Sequence, residues 1–226
     1  MGFLITIEAP DASGKATQTE LLRKHLEEDG YNTYKFSFPN YGSDACKPAE
    51  LYLSGVLGEK ASDTGAYAAS VFFAVDRFFS YKTQWEKLLK EEKTVIVLDR
   101  YTTSNAVHQI CKLPENQWDE YLAWLYDFEF NKMSLPVPDI TLALDVDPAV
   151  SKLLLDKRAK EDASHKSDIH EADAEYLKKC YEASKYASEK WGWTRISCCD
   201  GDNMKTREEI HSMIYQAVTK KMKGHN

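Results

Sequence analysis

The sequence predicts an α/β protein in three layers, a parallel sheet of five strands with helices on both faces. Three observations carry that prediction. Short apolar runs of strand length alternate with helix-length segments along the whole chain. Two of the runs, Thr94-Val95-Ile96-Val97-Leu98-Asp99 and Asp139-Ile140-Thr141-Leu142-Ala143-Leu144-Asp145, are almost unbroken in hydrophobicity and end in a carboxylate, as strands buried on both faces do. The first run, Phe3-Leu4-Ile5-Thr6-Ile7, leads through a Gly-Lys turn into a helix. With 226 residues and 43% hydrophobic side chains, residues 1–226 read as a single sizeable domain.

Each element follows from local pattern. Residues 3–8 form the first strand, and the helix after the loop ends near Asp29-Gly30, where glycine supplies a left-handed terminus. A second strand at 32–38 is stopped by Pro39, a loop runs through Tyr41-Gly42-Ser43, and a helix spans about 45–54. Ala68, Val71, Phe72, Val75 and Phe79 recur at three and four, which predicts one long helix from about 67 to 89 that also carries Phe73 and Arg77. Beyond the strand at 94–99, the stripe of Trp118, Tyr121, Trp124, Leu125 and Phe128 marks a helix whose aromatic residues read as core. The strand at 139–145 precedes a helix at 148–157, a charged stretch at 158–171 and a helix from 172 to about 190. A last strand at 194–198 and a last helix at 206–221 complete the series, with no repeat or low-complexity linker.

Composition excludes several classes of function. Lys and Arg number 29 against 36 Asp and Glu, and a net charge of −7 argues against a general nucleic-acid or membrane surface. The five cysteines, Cys46, Cys111, Cys180, Cys198 and Cys199, are odd in number and lack CxxC spacing, so neither a disulfide framework nor a zinc site is expected, and a reducing cytoplasm is the natural location. No signal peptide is read, and no apolar run approaches the roughly 18 residues of a membrane span.

The turn Ala9-Pro10-Asp11-Ala12-Ser13-Gly14-Lys15-Ala16-Thr17 reads as a phosphate-binding loop of the form GxxxxGK[ST], with Ala9 replacing glycine and Ala16 replacing the hydroxyl residue. Successive N–H groups at a helix N-terminus suit polyphosphate oxygens, and Lys15 would add a point charge at the outer phosphates. Gly14 would let the backbone approach a ligand closely. Ala16 removes the hydroxyl that usually meets Mg²⁺, and Thr17 lies about 100° further round the helix, so the metal falls to carboxylates acting through water. On its own the segment also fits an ordinary strand, turn and helix in which Asp11 and Ser13 cap. Asp99, at the carboxyl edge of a Walker-B-type strand, stands where open α/β sheets bind ligands.

Taken together, Glu8 through Thr17, Phe38-Pro39, Phe73-Ala74-Val75-Asp76-Arg77, Asp99-Arg100-Tyr101, Ser104-Asn105, Leu135-Pro136-Val137-Pro138-Asp139 and Lys157-Arg158 through Asp168-Ile169-His170-Glu171 resemble the thymidylate kinase family, in order and over nearly the whole chain. The resemblance implies a P-loop NTPase fold with its loop at 8–17 and a helical lid at about 157–171. It implies transfer of the γ-phosphoryl group of ATP to dTMP, giving dTDP and ADP on the route to dTTP, with Mg²⁺ as cofactor. It also implies a homodimer built through helices that include the one around 67–80, where Ala66, Ala68, Ala69, Ser70 and Val71 suit close packing.

The same resemblance assigns roles. Pro10, Asp11, Ala12, Ser13, Gly14, Lys15, Ala16 and Thr17 would hold ATP. Asp11, Tyr41, Phe73, Arg77, Arg100, Asn105 and His108 would hold dTMP: Phe73 by stacking, Arg77 at a base carbonyl, Asn105 through an amide offering donor and acceptor, and Arg100 on the acceptor phosphate. His108 stands where many bacterial relatives have tyrosine near the sugar. Asp11, Asp99 and Glu171 form the expected metal set. Ala12 leaves the loop without the arginine some relatives carry, so transition-state charge passes to Lys157, Arg158, Lys160 and Lys166, with Arg158 foremost; Lys15, Asp11, Arg100 and Arg158 are the expected catalytic group. Cys198-Cys199-Asp200-Gly201 lies where the family holds adenine. Competing readings are core packing for Phe73 and His108, an ion pair at the strand end for Asp99 and Arg100, and a solvated face for Lys160 and Lys166. Two other functions stay open: a related kinase with another acceptor, and a nucleotide-binding protein whose loop has decayed. Retention of Lys15, Asp99, Arg100 and Arg158 weighs against decay.

Overall fold

The computed structural model describes residues 2–10, 13–161 and 174–224, with backbone alone for 157–161 and 174. Among them, the strands β1 (Phe3–Glu8), β2 (Asn32–Ser37), β3 (Thr94–Asp99), β4 (Ile140–Asp145) and β5 (Thr194–Ser197) form one five-stranded sheet in the order β2-β3-β1-β4-β5. All four pairings are parallel, with Ile5 opposite Val97 on one side of β1 and Ile7 opposite Leu142 on the other. Every residue of β1 and β3 is buried, which is why those runs carry no polar alternation. The strand order reverses beside β1, and the crevice above the carboxyl ends of β1, β3 and β4 is therefore the place where such a sheet accepts a ligand.

Successive residues of a strand serve opposite faces. Phe3, Ile5 and Ile7 pack with Leu22 and Leu26 of α1 (Lys15–Glu28) and Ile210, Ile214 and Val218 of α8 (Arg207–Lys223). Leu4, with Ile96 and Leu98, packs instead against Trp85, Leu89, Tyr101 and Leu135. A third cluster joins α4 (Thr102–His108), α5 (Trp118–Tyr126) and α7 (Ala174–Trp191) around Val107, Tyr121, Leu125, Cys180 and Ala183. The loop after β2 leads to α2 (Lys47–Leu53), and α6 (Pro148–Glu161) runs four residues past its expected end at 157.

Two expectations about the third helix need correction. The pattern from 67 to 89 is not one helix: α3 (Ala66–Ser80) passes into a π-helical turn at Tyr81–Trp85 and a short 3₁₀ turn at Leu88–Lys90. The change of pitch seats Trp85 fully in the core, where its indole N–H donates to Ser80 Oγ at 3.2 Å. Of the residues expected to suit close packing between two copies, Ala66, Ala69 and Ser70 are instead buried within the chain. Val71, Val75 and Phe79 are 37%, 42% and 52% exposed, whereas Ala66, Ala69, Ser70, Ala74, Asp76 and Arg77 are buried. Sequence periodicity finds a helix's apolar face but not which way that face points.

The final strand ends at Ser197, not 198, and the turn beyond it is a small antiparallel hairpin, β6 (Cys199–Asp200) with β7 (Asn203–Met204), closed through Gly201 at φ +56°. The five cysteines are free. Among the described residues, no helix is long and apolar enough to cross a membrane.

Lys112, just after α4, braces the outer part of the molecule by donating to Tyr52 Oη of α2 at 2.7 Å and to the Thr64 carbonyl at 3.1 Å. Burial pushes its ammonium down from 10.5 to about 8. The unfolded chain therefore binds more protons than the folded one between those values, and stability rises with pH across that window. Lys112→Met removes the rise; a wild-type-minus-variant difference in urea unfolding that stays flat from pH 8 to 10.5 contradicts a desolvated ammonium.

Candidate active site

At the carboxyl end of β1 the chain turns into α1 through the glycine-lysine loop. Gly14 has φ +81°, a left-handed backbone that favours glycine, and a Cβ added there would meet no protein atom within 4 Å. Ser13 Oγ donates to the Pro10 carbonyl at 2.6 Å and closes the turn. The first intrahelical bond runs from Gln18 N to Gly14 O, which leaves the preceding N–H groups at the helix N-terminus aimed outward with no acidic side chain in the first turn. Lys15 Nζ lies 2.8 Å from Asp99 Oδ1. Ala16 and Thr17 are exposed beside it, and the Thr19 hydroxyl is occupied by the Lys15 carbonyl. Asp11 and Ala12 lie outside the described residues.

Arg100 follows Asp99 with φ +66°, an uncommon backbone state for a side chain of this size, supported by its N–H bond to the Ile7 carbonyl at 3.1 Å. Its Nη1 meets Glu8 Oε1 at 2.9 Å and His108 Nε2 at 3.0 Å. A guanidinium only donates, so His108 accepts through Nε2 and carries its proton on Nδ1, 3.6 Å from Cys180 Sγ. Glu8 is buried and also accepts from Thr103 Oγ1 at 2.9 Å and Ser104 Oγ at 2.5 Å. Sequence reasoning assigned Glu8 no part in the site. The available signal was an acid ending an otherwise apolar strand immediately before the loop.

The expected base-reading residues are brought together on α3 and α4, but their hydrogen bonds differ from expectation. Arg77, 1% exposed, gives Nε and Nη2 to the carboxylate of Glu129, itself 0% exposed, at 2.8 and 2.6 Å. The amide nitrogen of Asn105 donates to Glu129 Oε1 at 3.0 Å and to the Ser70 carbonyl at 3.1 Å. Asn105 was expected to offer donor and acceptor; both amide hydrogens are engaged inside the protein, and the carbonyl oxygen is what it has to offer. Glu129 also escaped the sequence reading, although it continues the buried series Trp118, Tyr121, Leu122, Leu125 at the next helical step. The aromatic stripe puts Phe128 at that step, and the structure buries Glu129 instead.

Phe73 is half-buried, edge-on to Tyr52 at 5.9 Å and packed by Leu53 and Ala69. Both expected roles are compatible with that position. Tyr41 is 64% exposed on a loop tied to α3 by Asp76, which accepts from Asn40 N at 2.7 Å and Ser43 Oγ at 3.3 Å. Burial pushes the Asp76 carboxyl up, against the pull of these donors.

For a metal, Asp99 is the one described member of the expected set, since Asp11 and Glu171 lie outside the described residues, as do the side chains of Lys157, Arg158, Lys160 and Lys166 together with Asp168 and His170. Among the described residues no cluster of three His, Cys, Asp or Glu side chains could enclose an ion. Mg²⁺ keeps several waters and takes one or two carboxylates plus substrate phosphates, so a single Asp99 oxygen beside Lys15 fits it. Next to Pro10 and His108, a cavity of about 530 Å³ extends between β4, α6 and α7 to the Arg195–Asp145 ion pair.

Comparison with known proteins places this geometry in context. The family model described as thymidylate kinase matches residues 7–197. The chain is similar to a thymidylate kinase of Mycobacterium tuberculosis (strain H37Rv), with 33% identity over 192 residues covering 84% of this chain and 88% of the relative. It is also similar to probable thymidylate kinases of Methanococcoides burtonii, 29% identical over 178 residues (78% and 82% covered), and Staphylothermus marinus, 28% identical over 149 residues (66% of each).

The Arg77–Glu129 pair is the most deeply buried ionic contact in this region. Arg77→Met leaves the carboxylate without its cation, and the expected loss in urea unfolding is about 3–5 kcal/mol. A loss below about 1 kcal/mol, the range of exposed pairs, contradicts the burial.

Proposed function

The chain belongs to the thymidylate kinase family, and on that premise we propose that it transfers the γ-phosphoryl group of ATP to dTMP, releasing dTDP and ADP, with Mg²⁺ as cofactor. The observation that carries the reading is the position of two cations on one crevice. Lys15 pairs with Asp99, and Arg100 is the next residue after Asp99, anchored on Glu8 of the neighbouring strand. A phosphate donor and a phosphate acceptor each need a cation, and the two must lie within reach of one another.

Phosphoryl transfer asks the protein for positioning and charge neutralisation more than covalent chemistry. In this reading the loop from Pro10 to Thr17 holds the donor phosphates, the N–H groups after Pro10 cradling them, and Lys15 exchanges Asp99 for their outer oxygens. Asp99, with Asp11 and Glu171, would hold Mg²⁺ through oxygen ligands and water. When bound, that ion would neutralise phosphate charge as a Lewis acid. Arg100 grips the acceptor phosphate, its guanidinium oriented by Glu8 and His108. Phe73 stacks on the base, Arg77 and Asn105 meet its edge, Tyr41 closes the outer side, and Arg158 of the lid meets the charge of the transition state. Asn105 and Arg77 favour a pyrimidine acceptor over the other monophosphates. Engagement of both Lys15 and Arg100 at one crevice weighs against a decayed binding module.

A homodimer fits the outer face of α3, where Tyr67, Val71, Val75, Phe78 and Phe79 are exposed together although polar residues of the same helix are buried. The odd number and spacing of the cysteines support a cytoplasmic location.

Purified protein with ATP, Mg²⁺ and dTMP is expected to form dTDP, and Lys15→Ala to lower turnover by roughly 10²–10³-fold, the cost of removing one such charge-stabilising group. Absence of dTDP from the wild-type reaction overturns the reading. For the assembly, Val75→Glu is expected to shift sedimentation from dimer to monomer; a wild-type monomer at micromolar concentration rules the dimer out.

A further inference from the structure

Among the described residues, the carboxylate of Glu129 takes four hydrogen bonds from two different helices. Oε1 accepts from Arg77 Nη2 at 2.6 Å and from Asn105 Nδ2 at 3.0 Å; Oε2 accepts from Arg77 Nε at 2.8 Å and from Thr102 Oγ1 at 2.6 Å. The second hydrogen of the Asn105 amide goes to the Ser70 carbonyl. Neither a carboxylate nor a carbonyl can donate, so the amide atom facing both must be nitrogen, and the amide cannot turn over without setting oxygen against oxygen twice. Arg77 is fixed in the same way, with Nε and Nη2 engaged and Nη1 left over.

We infer that Glu129 is a positioning residue that sets which base the acceptor site takes, an inference that rests on the phosphotransfer reading above. It fixes Asn105 to present an acceptor, Oδ1, and Arg77 to present a donor, Nη1. A 4-oxo pyrimidine offers the complementary pair, an N3–H donor beside an O4 acceptor. A 4-amino pyrimidine offers an N3 acceptor beside an N4 donor, and meets like against like at both atoms. Sites whose hydrogen-bonding groups are held against rotation reject such analogues far more strongly than shape alone does, because the mismatched groups are left unpaired in a dry place. Without Glu129 the Ser70 carbonyl alone opposes turning of the Asn105 amide, one of the two oxygen–oxygen clashes is gone, and discrimination between the bases weakens.

The test compares dTMP and dCMP as acceptors for the wild type and for Glu129→Gln, which replaces one acceptor oxygen by an NH₂ group. The ratio of kcat/KM for dTMP over dCMP is expected to fall about tenfold or more, carried by a raised KM for dTMP with a smaller change in kcat. Equal losses for both acceptors, with the ratio unchanged, mean that Glu129 supports the fold alone and overturn the inference. Thr102→Val, nearly isosteric and lacking one of the four donors, is the second variant: a fall of a few-fold in the same ratio supports the inference, and an unchanged ratio overturns it even if Glu129→Gln fails to fold. A wild type inactive on dTMP would instead defeat the functional reading.

Discussion

A carboxylate taken out of water is unfavourable by several kcal/mol unless a cation and further donors accompany it. That constraint organises the working end of this molecule. Glu8, Asp99 and Glu129 sit at or behind the carboxyl ends of the sheet, and each has recruited a cation from elsewhere in the sequence: Arg100, Lys15 and Arg77. The partners of each pair are distant in the chain, so satisfying them fixes how β1, β3, α1, α3 and the π-helical turn Asp127–Lys132 that follows α5 meet. Hydroxyls of Thr102, Thr103 and Ser104 fill the remaining lone pairs of Glu8 and Glu129. The start of α4 thus serves both acids at once.

This arrangement explains why α3 looks inverted. Its inner face must deliver Arg77 and Asp76, and the small residues Ala69, Ser70 and Ala74 let the backbone come close enough for them to reach their partners. Large apolar side chains would hold the helix away from α4 and α5, and they lie outside.

Much of the fold was legible in the sequence because buried parallel strands and flanking helices leave strong local signals. All five strands of the sheet, the loop before α1 and the glycine ending that helix were readable from hydrophobic runs and turn residues. The junction itself was legible as a turn from strand to helix, with Gly14 in the left-handed region that its place in the sequence suggested. What failed was anything decided by tertiary contact. Periodicity could not tell that Val71, Val75 and Phe79 face outward, and it ran straight through the π-helical turn that seats Trp85. Nor could it show that Arg77 and Asn105 both donate to Glu129, an acid between two phenylalanines whose partner Arg77 lies 52 residues away. Glu8 was overlooked for the same reason: its role depends on Arg100, brought beside it only by the pairing of β1 with β3.

The two-faced character of α3 has a thermodynamic corollary. Fifteen residues carry Arg77 inward to the Glu129 network, the proposed base-reading site, and Val75 outward to the surface, on one rigid rod. Any molecule that binds the outer face and favours one setting of the rod over another changes acceptor affinity by some factor, and the acceptor must change that outer binding by the same factor. Linkage of this kind requires no hinge and no long relay of side chains. It follows from placing two surfaces back to back on a single helix.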